Sequence, residues 1–165
     1  MKKIYSLILS FFLFSLLFTA HVKADDYGPE GKRFGAGLYL GDPTGFTGKG
    51  YISEKLAFEG ISAWSFVNDS FTLITNVTYD FFTLPVSSEK VSFPFYAGVG
   101  GKFAFNKKDR NNRRNSAGLL VPVGLAAHFT EYPIEIFIEL APGMEFAPQT
   151  EVDFSGGIGA RFYFF

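Results

Sequence analysis

The residues of this chain that could do chemistry fall on one side of an alternation. Lys49, Glu59, Asp80, Lys102, Glu135, Glu139 and Arg161 share a parity with the glycines Gly35, Gly37, Gly98, Gly100, Gly157 and Gly159. The opposite parity is almost free of charge along the same segments. Opposite charges on one face of paired strands stabilise each other. A charge on a lipid-facing position near the midplane costs about 2 to 4 kcal/mol, which is a reason to keep all of them on the other face. These seven residues therefore read as an interior ion-pair network. A tight turn centred on Glu54 places Lys49 directly opposite Glu59. A turn centred near Gln149 places Arg161 opposite Phe137, with Glu135 and Glu139 on its diagonals. The expectation is an interior that blocks rather than conducts.

Catalytic options are few. There is no cysteine, which excludes disulfides, thiolate metal sites and a Cys nucleophile. His128 has Thr130 two positions on and Glu139 in the next predicted strand. Barrel lipases that act on lipid A use a His-x-Ser pair with a carboxylate, but here threonine stands at the serine position and His128 has interior parity. The bland alternative is a satisfied histidine near the membrane interface, and no enzyme is expected. Gly35-x-Gly37 and Gly98-x-Gly100 lie within predicted strands rather than at a strand-to-helix turn, so they make room for bulky neighbours and do not cradle phosphate. No catalytic, cofactor or metal residues are assigned.

One cluster is strongly basic: Lys107, Lys108, Arg110, Arg113 and Arg114, within Asn106–Asn115. A charge run is ordinarily a solvated loop. Its functional reading is electrostatic attachment to an anionic partner, such as a glycosaminoglycan, an acidic host protein or an anionic lipid headgroup.

The elements that must position these residues begin with export. Lys2 and Lys3, the apolar run Ile4 to Phe18 and the small-residue end Val22-Lys23-Ala24 read as a secretory signal over 1–24, cleaved after Ala24. Removing Lys2, Lys3 and Lys23 takes the formal charge from −1 to −4, without a nucleic-acid signature. Aromatics make up 19% of residues and no later segment suits a spanning helix, which leaves a closed barrel over 25–165 as the membrane option.

Period-two alternation predicts eight strands near 33–41, 45–52, 56–66, 71–82, 91–105, 118–129, 134–146 and 152–164, after a loose polar tail Asp25–Lys32. The fold class is all-β, an eight-stranded antiparallel up-and-down transmembrane barrel. In Val91–Phe105 the pairs Phe93/Phe95 and Phe103/Phe105 lie about ten residues apart, on the order of 23 Å along a tilted strand, close to the band of about 25 Å between aromatic girdles. Turns fall at Asp42-Pro43-Thr44, Ser53-Glu54-Lys55 and Thr130–Pro133, and longer connections at Thr83–Lys90 and Asn106–Ala117. Pro94 and Pro122 fall inside predicted strands and call for bulges or displaced strand ends. Phe164, rather than Phe165, carries the outward parity of the last strand.

Gly41-Asp42-Pro43-Thr44-Gly45, Thr47-Gly48-Lys49, Trp64-Ser65-Phe66, Asp80, Val121-Pro122-Val123-Gly124 and the closing Gly157–Phe164 run occur in an order that resembles a family of small spirochaetal outer-membrane proteins of poorly defined function. The resemblance covers nearly the whole mature chain. It implies an OmpA-like eight-stranded barrel, and for some members binding to host proteins or a part in lipid or nutrient acquisition. It assigns no host-binding residue here. Three readings follow: a non-enzymatic outer-membrane barrel, structural or adhesive through 106–115; a narrow channel or lipid and nutrient conduit; and a soluble lipocalin-like binder with the aromatic parity inward. The expected partners are outer-membrane lipid and host proteins or anionic glycans, not nucleic acid, for a monomer with surface loops.

Overall fold

The computed structural model describes residues 27–65, 70–86, 90–109 and 112–164, with the backbone alone at 106–109 and 112–114. The predicted signal over 1–24 lies outside the described residues, as does Arg110 of the basic cluster. Nine strands run in sequence: β1 (Phe34–Asp42), β2 (Thr44–Tyr51), β3 (Leu56–Ser65), β4 (Ser70–Leu84), β5 (Val91–Asp109), β6 (Asn112–Leu120), β7 (Val123–Phe129), β8 (Ile134–Ala147) and β9 (Glu151–Tyr163). Each is antiparallel to its neighbours, and no α-helix occurs among the described residues. The sheet closes on itself because β1 pairs with both β2 and β9, and β4 with both β3 and β5.

The count departs from eight because the sixth predicted strand is two. β6 and β7 both lie between β5 and β8, so they share one position in the ring. Pro122, which has no N–H to donate, sits at the break. The ring stays tied across it: Gly98 N donates to the Pro122 carbonyl at 2.8 Å, and Val121 N to the Pro142 carbonyl at 2.9 Å. Pro94 instead stays within β5, opposite Thr83, and the irregularity falls on the partner strand, where the β4 register shifts between Asp80 and Phe82.

Two predicted connections are also strand. β4 reaches Leu84, and the predicted loop Asn106–Ala117 is largely a ribbon in which Lys107 pairs with Arg114, Lys108 with Arg113 and Asp109 with Asn112. Repulsion between like charges does not prevent backbone pairing when the strands beneath already hold the register. The tail is likewise ordered where it is described. Pro29–Gly31 forms a 3₁₀ turn with Pro29 buried, and Tyr27 packs on Tyr51 and Tyr163 with the Arg33 guanidinium 4.7 Å from its ring centroid. This segment folds against the end of the barrel that carries the turns after β2 and β7.

The parity reading holds along the ring. Large apolar side chains face out, among them Phe46 (71% exposed), Val99 (66%) and Val152 (89%). The lipocalin-like arrangement, with the aromatic parity inward, is not the one adopted. Outward rings gather at both ends of the strands: Phe71 stacks on Phe105 at one end, and Phe82 on Phe95 and Phe34 against Phe164 at the other. Phe164 thus faces outward as its parity requires.

Candidate functional site

The interior is built from the charged parity. Lys49, Glu59, Glu135, Glu139 and Arg161 are each 2% exposed or less. Their centre is Arg161 on β9. Its Nε and Nη2 donate to Thr47 Oγ1 at 3.1 and 2.8 Å, Nη1 donates to Glu135 and Nη2 to Glu59. The guanidinium lies 3.8 Å above the centroid of Phe137. Glu135 Oε2 is 2.8 Å from His128 Nε2, accepts from Tyr163 OH at 3.1 Å, and lies 3.5 Å from Lys49 Nζ. The Lys49 ammonium also sits 4.9 and 4.8 Å from the ring centroids of Tyr51 and Tyr96. Tyr96 OH donates to Glu139 at 2.9 Å. Tyr51 OH donates to Asp80 at 3.1 Å, nearer the barrel mouth.

The sequence placed all of these inside but paired some of them wrongly. Lys49 does stand opposite Glu59 in register, yet its ion pair is made to Glu135 and Glu59 goes to Arg161. A pleated neighbour is not the only partner on offer in a closed ring, where side chains from facing walls meet across the interior. The β8–β9 register also differs by two residues from that expected of a turn at Gln149: Arg161 faces Glu135, and Phe137 faces Gly159. Glu139 is therefore not its diagonal partner but the acceptor of Tyr96.

Lys102 belongs to a second group. Its ammonium donates to both oxygens of Asp153, at 3.1 and 2.8 Å, and to Ser155 Oγ at 2.9 Å. Ser116 Oγ donates to Glu145 at 3.1 Å in the same half. Asp153, Ser155 and Glu145 share the parity of Arg161 or Glu139 along their strands, so alternation could have found them. The two groups are separated on each strand by apolar or small residues, Ile61 on β3, Ile74 on β4, Leu120 on β6 and Ala141 on β8, all members of one buried cluster.

Glycines let the interior rings lie flat on neighbouring backbone. A Cβ at Gly124 would come within 2.3 Å of the Tyr96 ring, and one at Gly159 within 2.4 Å of the Phe137 ring. The motifs Gly35-x-Gly37 and Gly98-x-Gly100 lie within β1 and β5, so neither opens a helix.

The hydrolase-like set is not assembled as its spacing suggested. The carboxylate at His128 is Glu135, its register partner, while Glu139 is bonded to Tyr96. No group of acidic residues and histidines arranged to hold a metal occurs among the described residues. Of the basic cluster, Lys107, Lys108, Arg113 and Arg114 stand on the β5–β6 ribbon beyond the last pairing of β5 with β4, at Phe105, and of β6 with β8, at Ala117.

A closed up-and-down ring with charges inside and aromatics outside is the class of outer-membrane β-barrel domains of the OmpA-like kind. In fold it is similar to the N-terminal β-barrel domain of Pseudomonas aeruginosa OprF, with a TM-score of 0.53 and 13% identity over 81% of this chain and 98% of that one. The chain belongs to the family described as "Protein of unknown function (DUF3996)", whose model matches residues 29–165. No curated protein sequence matches it.

Proposed function

We propose that this protein is a non-enzymatic integral outer-membrane barrel, a structural element of that membrane whose β5–β6 ribbon attaches the surface to an anionic partner. The observation that carries the first part is the inversion of polarity: Arg161, Lys49, Glu59 and Glu135 are buried while Phe46, Val99, Phe154 and Ile158 are exposed. Soluble monomers rarely expose contiguous apolar surface beyond a few hundred Å². In a bilayer that surface is solvated by lipid and the charges are hidden from it. The ribbon carries the second part. Lys107, Lys108, Arg113 and Arg114 project past the ring with Asp109 the one acid among them. The partner in this reading is an acidic host protein or a sulfated glycan, held by charge.

Heat-modifiable migration of the folded protein in detergent electrophoresis, together with protease cleavage of the ribbon on intact cells, tests both parts. The expected result is a compact band that shifts on boiling and a ribbon cleaved from outside. Solubility without detergent after removal of residues 1–24 would overturn the membrane reading. Partner binding that persists at 1 M salt, where charges are screened within about 3 Å, would overturn the electrostatic one.

A further inference from the structure

The interior polar groups are not satisfied evenly. On β8 and β9, Glu135, Glu139 and Arg161 all have partners. On β4 the side chains of Thr72, Asn76, Thr78 and Asp80 succeed one another at interior positions, interrupted by Ile74. The Thr72 and Thr78 hydroxyls, both amide atoms of Asn76 and Asp80 Oδ1 are buried without a hydrogen-bond partner. The row continues sideways, since Asn76 faces Glu59 and Glu59 faces Lys49, and Glu59 Oε2 and Lys49 Nζ also lack a hydrogen bond. Buried polar atoms are nearly always paired, with protein or with water. Side chains that served only to plug the ring would pair as those of β8 and β9 do.

The adjoining strands offer these residues little. Thr72 stands between Ala63 and Ala104, and Thr78 between Ala57 and Gly98, none of which has a polar side chain. At its lower end the stripe meets a cavity of about 310 Å³ lined by Asp80, Tyr51, Ser92, His128 and the Gly28 segment. At about 30 Å³ per molecule that volume holds on the order of ten waters. Ile74 is the one interior side chain of β4 between Thr72 and Asp80 that cannot hydrogen-bond, and it stands opposite Ile61 in the buried apolar cluster.

From this we infer that β4 is the wall of a permeation path for water and small uncharged polar solutes, hydrated from the Asp80 mouth as far as Asn76 and shut by Ile74 against Ile61. Polar side chains at every second residue supply successive hydrogen-bond partners along the wall. Fixed charges of both signs beside it, from Lys49 and Glu59, oppose a stream of either cations or anions. The path rests on the membrane-spanning reading, and it extends that reading by making a single apolar step, rather than the ion pairs, the block.

The cysteine-free chain permits a direct test. Thr78→Cys, Asn76→Cys and Ile74→Cys are each placed alone in the full-length protein, folded into phosphatidylcholine vesicles, and treated with a small ammonium methanethiosulfonate reagent. Thr78→Cys and Asn76→Cys are expected to react at least about tenfold faster than Ile74→Cys, the factor that 1.4 kcal/mol of extra opening free energy produces. Ile74→Ser is expected to raise glycerol entry into the vesicles above the wild-type rate, with Ile61→Ser as an independent variant on the facing strand. Equal, slow labelling at all three positions would overturn the path, as would glycerol entry left at the level of protein-free vesicles by both serine variants. Failure of the wild-type protein to give a heat-modifiable band would instead strike at the membrane reading itself.

Discussion

At the scale of single residues, Glu135 is the hinge of the interior. It meets Arg161, Lys49, His128 and Tyr163 at once. Removing its charge leaves two buried cations with less compensation, and breaking a buried pair in this way costs about 3 to 5 kcal/mol. Glu135→Gln is therefore expected to lower stability by about that amount, measured by denaturant titration in detergent micelles. Lys49→Ala removes only one of the cations on Glu135 and leaves Glu59 with Arg161, so its cost should be clearly smaller. Equal losses for the two variants would contradict that assignment of partners. Gly124→Ala is expected to cost about 1 to 3 kcal/mol by the same titration, because the new methyl meets the Tyr96 ring. Alternation identified all of these residues as interior. It said nothing of which carboxylate meets which cation, because that depends on side chains crossing from walls distant in sequence.

At the scale of elements, the departures from expectation gather where local chemistry and ring closure compete. Pro122 does interrupt its strand, as a residue without a donor should, but the halves remain in one position because β5 and β8 hold both. The run Asn106–Asn115 looks like a loop from composition alone, since its charges and asparagines carry no apolar alternation. It becomes ribbon because β5 and β6 enter it already paired, as at Ala104 with Ser116. Replacing Lys107, Lys108, Arg113 and Arg114 together with glutamine is expected to abolish salt-sensitive retention on a heparin support while leaving heat-modifiable migration unchanged. Retention equal to the wild type would remove the ribbon from the binding role. The terminal segment is the other surprise: Tyr27 has little local signal for order, yet it packs on Tyr51 and Tyr163. Tyr27→Ala should cost about 1 to 2 kcal/mol through lost aromatic burial, again read from denaturant titration.

At the scale of the whole molecule, apolar surface outside and charges inside lead to one expectation. The chain without residues 1–24 should require detergent or lipid to stay dispersed, and light scattering in detergent-free buffer at neutral pH checks this directly. A clear, monodisperse solution would contradict it. Period-two patterning determined by itself that the chain is all strand, which side chains face the interior and which the surroundings, and that aromatics would gather near the two strand ends. It could do so because parity is a property of neighbouring residues along one strand. Ring closure, the β8–β9 register, the division of the interior into two polar groups and the single apolar step at Ile74 were decided only by the tertiary structure. Each depends on how strands far apart in sequence are staggered around the barrel, and a two-residue change of stagger, as at Arg161 and Glu135, preserves every parity while exchanging the partners.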